Sequence, residues 1–153
     1  MDGVPRTRAG RHTAEYHYPD NEEPNNMNEA TGKLILRVAL GGLILMHGIA
    51  KLTGGIDFIT HTVTAAGMPA FFAYGVYVGE VVAPLLVIAG FYSRIGAVVI
   101  GINMLFAIGL VHGAEFFTRN QTGGWALELQ GMFLFTAVAI ALIGPGHYRV
   151  NDR

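Results

Sequence analysis

The chain has 153 residues, 52% of them hydrophobic and 14% charged, with 21 Gly and a mean hydropathy of +0.41. That composition is too apolar for one evenly mixed soluble domain. A formal net charge of −1 without any basic run excludes a nucleic-acid-binding face. The absence of cysteine excludes disulfides, thiolate nucleophiles, Cys-ligated zinc and Cys-held iron–sulfur clusters, so a redox role would have to draw its electrons from elsewhere.

Charge is unevenly placed. Ten of the 21 charged residues fall in positions 1–33 and three in 145–153, which leaves eight for the 111 residues between. Residues 1–32 carry Pro5, Pro19, Pro24 and the acidic pair Glu22 and Glu23 without apolar periodicity, and read as a disordered tail. Met27 would start a more economical protein, so 1–26 is read as an upstream extension. No cleavage motif comes after the first apolar run, which is therefore expected to be a retained anchor. Residues 33–149 form the folded unit and 150–153 a short C-terminal tail.

Four apolar segments are each long enough to cross a hydrocarbon layer of ~30 Å as a helix. They run over 34–52, 70–90, 94–112 and 125–143. Each is apolar all round, where the helices of a soluble bundle would carry polar stripes. The sequence therefore predicts an all-α integral membrane four-helix bundle. Arg6, Arg8, Arg11, Lys33, Arg37, Arg94, Arg149 and Arg153 fall on the side of the termini, against Lys51 and Arg119 on the other, which puts both termini in the cytoplasm.

The connections differ in length. Between the second and third helices, Gly90 can take a left-handed C-cap and Ser93 can cap the next N-terminus. Between the first and second, Ile56, Ile59, Val63 and Ala66 recur at helical spacing, predicting a short amphipathic helix at the outer interface. Phe71, Phe72, Tyr74 and Trp125 at the outer ends, with Tyr92 and Tyr148 at the inner ends, read as aromatic belts. Gly144-Pro145-Gly146 ends the fourth helix.

An ionisable group in hydrocarbon costs a few kcal/mol and needs a partner or a function. His47 and Lys51 are four apart and share a helix face. Glu80 lies about 15 Å into the second helix, near the midplane. Glu128 and His112 lie toward the outer ends of the fourth and third helices. All fall in the outer half or at the midplane, which predicts one polar pocket opening outward above an apolar inner half. Pro84 has no N–H, so the Glu80 carbonyl loses its helical donor. Lys51 and Asn103 are the candidate donors to Glu80, and a purely structural Lys51–Glu80 or Asn103–Glu80 pair remains an alternative. Asn103 and His112 differ by about 900°, so a regular helix would turn at most one of them to the pocket. No pair of these residues has the spacing of a zinc or di-iron motif, and no metal is expected.

The segments His47-Gly48-x-x-Lys51-Leu52-x-Gly54-Gly55, Gly67-Met68-Pro69-Ala70, Gly79-Glu80-x-x-Ala83-Pro84, Gly90-Phe91-x-x-Arg94, Leu127-Glu128-Leu129-Gln130-Gly131 and Gly144-Pro145-Gly146-x-Tyr148 together resemble the DoxX family of small bacterial membrane proteins. The resemblance covers about 33–149. It implies a four-helix, multi-pass protein of the bacterial inner membrane. It also implies a loose link to redox chemistry, since the family is similar to the membrane subunit of an archaeal thiosulfate:quinone oxidoreductase and some members are associated with superoxide and thiol defence.

The function expected is a quinone-linked redox subunit served by an electron-donating protein partner, in the bilayer and as a candidate homo-oligomer. Glu80 would carry a proton, with His47 and Lys51 contacting a ring oxygen. Asn103, His112, Glu128 and Trp125 would complete the quinone site, Glu128 relaying protons outward. Two other readings are a non-catalytic scaffold for redox-defence enzymes and a small-solute or proton permease. The second would need an oligomer, because the inner half holds so little polarity.

Overall fold

The computed structural model describes residues 23–151 and is helical throughout, with no strand among the described residues. Helix α1 spans Glu23–Gly54 and α2 Asp57–Ala65. Helix α3 covers Ala70–Ala89, α4 Ser93–Val111 and α5 Glu128–Ile143. Three of these, α1 over Met27–Gly54 together with α3 and α4, are long and apolar enough to cross a membrane. At 16 residues α5 falls short of the predicted fourth span. The reason lies in 118–126, where Arg119 and Trp125 pair as an isolated β-bridge and the Asn120 carboxamide oxygen accepts from the Thr122 and Gly124 amides. These bonds hold Trp125 in a turn and delay the helix to Glu128.

Residues 23–32, which the sequence assigns to the polar tail, are the first turns of α1. The Thr31 hydroxyl donates to the Met27 carbonyl, and Lys33 pairs with Glu29 one turn away, so local side chains sustain the helix. Residues 1–22, 152 and 153, with Arg6, Arg8, Arg11 and Arg153, lie outside the described residues.

Apolar side chains occupy both the inside and the outside of the assembly. Leu40 and Ile44 of α1, Ala83 and Val87 of α3, Ala97, Ile100 and Met104 of α4, and Phe133, Ala137 and Ile140 of α5 form one buried core. Meanwhile Leu43, Met46, Val82, Leu85, Ile95, Val98, Ile102, Met132, Phe135 and Leu142 remain exposed. An apolar exterior around an apolar core suits a hydrocarbon solvent and would aggregate in water. Helix α1 packs on α3 and α5, and α4 on α3 and α5.

Gly90 adopts φ +73° and closes α3 with bonds from its own N–H to Val87 O and from Phe91 N–H to Leu86 O, as its sequence position predicts. Ser93 departs from its expected capping role. Tyr92 takes the left-handed position at φ +48°, placing Ser93 inside the first turn of α4, where its Oγ is buried and makes no cap bond.

The half that the sequence reads as the apolar inner one is not wholly apolar. Arg37 is 1% exposed. Its Nε donates to Val87 O at 2.8 Å and its Nη2 to Ile88 O at 2.8 Å, while Nη1 donates to Pro145 O at 2.7 Å and Tyr148 O at 2.5 Å. Two acceptors are end-of-helix carbonyls of α3, where the macrodipole favours a cation. The others belong to the chain just past α5, so one side chain of α1 ties together three parts of the fold. Arg37→Met should leave these carbonyls without charged donors and lower stability by at least about 3 kcal/mol. Arg37→Lys should fall between, lacking the planar fork. Thermal unfolding in mild detergent checks this ranking, and equal midpoints for all three proteins would refute it.

Candidate functional site

Helix α3 is irregular where the sequence places Glu80. It opens as a 3-10 turn over Ala70–Tyr74, makes one α turn at Gly75–Tyr77, widens into a π turn at Val78–Val82, and resumes as α-helix from Ala83. The wide turn ends just before Pro84, which cannot donate to the Glu80 carbonyl. Gly48 of α1 lies against that carbonyl. A Cβ at Gly48 would stand 2.2 Å from Glu80 O, so the hydrogen that glycine carries there points at the oxygen, a Cα–H···O contact of the kind found between closely packed helices.

The Glu80 carboxylate is buried, with 6% of the residue exposed. Lys51 Nζ donates to Oε2 at 2.5 Å and Asn103 Nδ2 to Oε1 at 3.4 Å, so both donors named from the sequence are engaged, one on each oxygen. Gly79 makes room for Asn103: a Cβ there would lie 2.5 Å from its Cγ. The Tyr77 hydroxyl donates to the Lys51 carbonyl at 3.4 Å.

These groups border a cavity of about 850 Å³. Its walls are mostly apolar, from Ile44, Val76, Met104, Leu110 and Phe133, and α2 closes one side with Phe58, Ile59 and Val63. The polar groups entering it are His47, Lys51, Thr62, Glu80, Asn103, His112 and Gln130. Five of the seven predicted site residues therefore meet in one place.

His112 joins Asn103 there because α4 is not regular. A π turn over Ala107–Val111, closed by the His112 N–H on Ala107 O at 3.2 Å, takes up one extra residue and rotates the residues beyond it by about 100° relative to a continuous α-helix. His47 is exposed, with its ring edge-on to Phe133 at 6.0 Å and no hydrogen bond to a described protein group.

Glu128 and Trp125 do not line the cavity. Glu128 is exposed and accepts from Asn120 Nδ2 at 3.3 Å. The Trp125 indole donates to Phe116 O at 2.6 Å and lies against Gly131. Gln130, absent from the residues that the sequence singles out, is the α5 polar residue that reaches the cavity. Helical geometry holds the signal: Gln130 is about 200° from Glu128, so the two cannot share a face. Among the described residues no three His, Asp or Glu side chains gather as a metal site.

The DoxX family model matches residues 32–113, which include α1 from residue 32 onward, all of α2, α3 and α4, and the whole Lys51–Glu80–Asn103 group. The chain belongs to the DoxX family. It is also 29% identical over 119 residues to the "Putative oxidoreductase CatD" of Bacillus subtilis (strain 168), an alignment covering 78% of this chain and 84% of that protein. No solved structure matches it. A membrane protein of the DoxX type thus places an ion pair and two histidines around an apolar chamber.

The Lys51–Glu80 pair can be tested for its structural share. Removing one partner, in Lys51→Met or Glu80→Met, should cost about 3–5 kcal/mol by stranding the other charge, and the double variant should recover most of that loss. Gly48→Ala should destabilise by about 1–3 kcal/mol through overpacking on the Glu80 carbonyl, while Gly42→Ala, with open space at its Cβ, should be neutral. Thermal midpoints in detergent decide both. Additive losses in the first series, or a neutral Gly48→Ala, would overturn the corresponding contact.

Proposed function

We propose that this protein is a quinone-linked, redox-associated subunit of the bacterial inner membrane, receiving electrons from a protein partner. In this reading α1, α3, α4 and α5 form a four-helix transmembrane bundle with both termini in the cytoplasm, and the cavity lies in the outer half. The observation that carries the proposal is a buried carboxylate, Glu80, held by Lys51 and Asn103 on the wall of a mostly apolar chamber of about 850 Å³. That volume lies within the range of small-molecule sites. The relative in Bacillus subtilis, named as a putative oxidoreductase, supports the redox direction.

The residues present fit a quinone. Its ring and tail need apolar walls and its oxygens need donors, and the ring nitrogens of His47 are free of described protein partners at the cavity. A bound quinone would supply reversible two-electron, two-proton chemistry. His47 would hold the ring by a hydrogen bond to one oxygen. Lys51 would keep a cation beside that oxygen, and Glu80 Oε2 would hold the proton it exchanges with Lys51 Nζ. Asn103 fixes the other carboxylate oxygen, so Glu80 presents one face to the cavity.

Purification in mild detergent and then organic extraction test the proposal. Near-stoichiometric quinone is expected in the natural protein, falling at least about tenfold in a folded Glu80→Gln variant, whose neutral amide no longer holds Lys51 in place. Absence of quinone from both proteins would refute the assignment and leave the ion pair as a packing device.

A further inference from the structure

Helix α2 forms one wall of the cavity, and it is attached to the protein differently from the other helices. Polar bonds tie those to one another: Lys51 joins α1 to α3, Asn103 joins α4 to α3, and His112 at the end of α4 lies 3.3 Å from Gln130 of α5. The polar groups of α2 close on α2 itself. Thr60 Oγ1 donates to Ile56 O, Thr62 Oγ1 to Phe58 O and Thr64 Oγ1 to Thr60 O, while the amides of Ala66, Gly67 and Met68 donate to Thr62 O, Thr64 O and Val63 O. Among the described residues no hydrogen bond or ion pair joins 56–68 to another helix.

Apolar contact is what holds α2 in place. It packs on the 3-10 turn of α3 and the π turn of α4, with Phe58, Ile59 and Val63 on the cavity wall. Of its nine residues Val63 alone is buried. In lipid such contacts are weak ties, because an acyl chain or an apolar ligand can replace them at little cost, whereas a hydrogen bond to the bundle would have no substitute there.

Both junctions of α2 carry a glycine in left-handed backbone, Gly55 at φ +83° and Gly67 at φ +80°. A Cβ at either would meet nothing within 4 Å, so neither glycine makes room for a neighbour. Their backbone freedom sits at the two ends of a wall that has no polar tie to the bundle.

We propose that α2 is a lid, hinged at Gly55 and Gly67, that swings away from α3 and α4 to admit an apolar ligand from the lipid and then closes over it. The proposal rests on the reading of the cavity as a ligand site and adds its entrance. Val63 of α2 is 5% exposed and Ala73, on the 3-10 turn of α3 against which α2 packs, is 1% exposed; both line the cavity. Lifting the lid uncovers both.

Because the chain contains no cysteine, single introduced cysteines can report that opening. Full-length Val63→Cys and Ala73→Cys proteins in lipid nanodiscs are treated with a small water-soluble maleimide. Ala137→Cys, buried in the core and not lining the cavity, reports global unfolding. Labelling at 63 and 73 should run at least about tenfold faster than at 137. Ile59→Ala, which removes apolar contact from the lid, should speed both about tenfold and leave 137 unchanged. A fully methylated benzoquinone has no ring position open to a thiol. Titrated in, it should slow both positions with rising concentration, by about tenfold at about ten times its dissociation constant. Labelling at 63 and 73 as slow as at 137, or fast labelling that Ile59→Ala does not alter, would overturn the lid whatever quinone the protein carries. Fast labelling that Ile59→Ala accelerates and the quinone does not slow would uphold the lid and overturn quinone as its ligand.

Discussion

Hydrocarbon offers no hydrogen bonds, so every irregular stretch of backbone in this protein must find its partners within the protein. The end of the bundle beyond Val87 answers with Arg37. The two carbonyls it meets on α3 and the two it meets beyond α5 come from segments about sixty residues apart in sequence, and a guanidinium is the one side chain with enough fixed donors to serve them together. A charge that would be expensive in lipid becomes the tie that closes the bundle at that end. Gly90 is part of the same device: its left-handed backbone carries the chain over the guanidinium, and a Cβ there would lie 2.4 Å from Arg37 Nη2.

The cavity end solves the same problem differently. Around Glu80 the chain gives up helix regularity at the π turn before Pro84 and compensates by close approach, Gly48 offering a Cα–H to the carbonyl and Gly79 leaving space for the Asn103 amide. A second π turn rotates His112 into the same space. Wide turns pack less tightly than α turns, and here two of them on adjacent helices face one volume. The cavity and the polar groups that line it thus share one cause, and α2 covers the opening that the wide turns leave.

Much of this is legible in the sequence because the bilayer constrains it so strongly. Apolar length locates α1, α3 and α4, helical spacing locates α2, and depth along α3 singles out Glu80 with Lys51 and Asn103 as its donors. The features that escape have particular reasons. The shortened α5 depends on side-chain bonds of Asn120, which hydropathy does not register. Depth alone groups Glu128 with the pocket, although its angular distance from the apolar core face separates it from Gln130. Arg37 reads as a cation near the start of the first helix that sets orientation, since no local pattern reveals that it will meet carbonyls from residues 87 and 148. The union of Asn103 and His112 requires a break in helical phase, and a π turn has no sequence signature comparable to proline or glycine.

The two ends also differ in the freedom they leave a ligand. Below the cavity, Leu40, Ile44, Val87, Ala97, Ile100, Ala137 and Ile140 form an apolar layer, and beneath that Arg37 spends its donors on backbone. A hydrated solute would find no partner along this route, whereas an apolar ring need not pass it at all. Under the quinone reading, its tail would stay among the exposed apolar side chains of α1, α3 and α4 while its head met the polar groups. The rim of the cavity, in contrast, is polar where the exposed Glu115 pairs with His112, which lines the cavity.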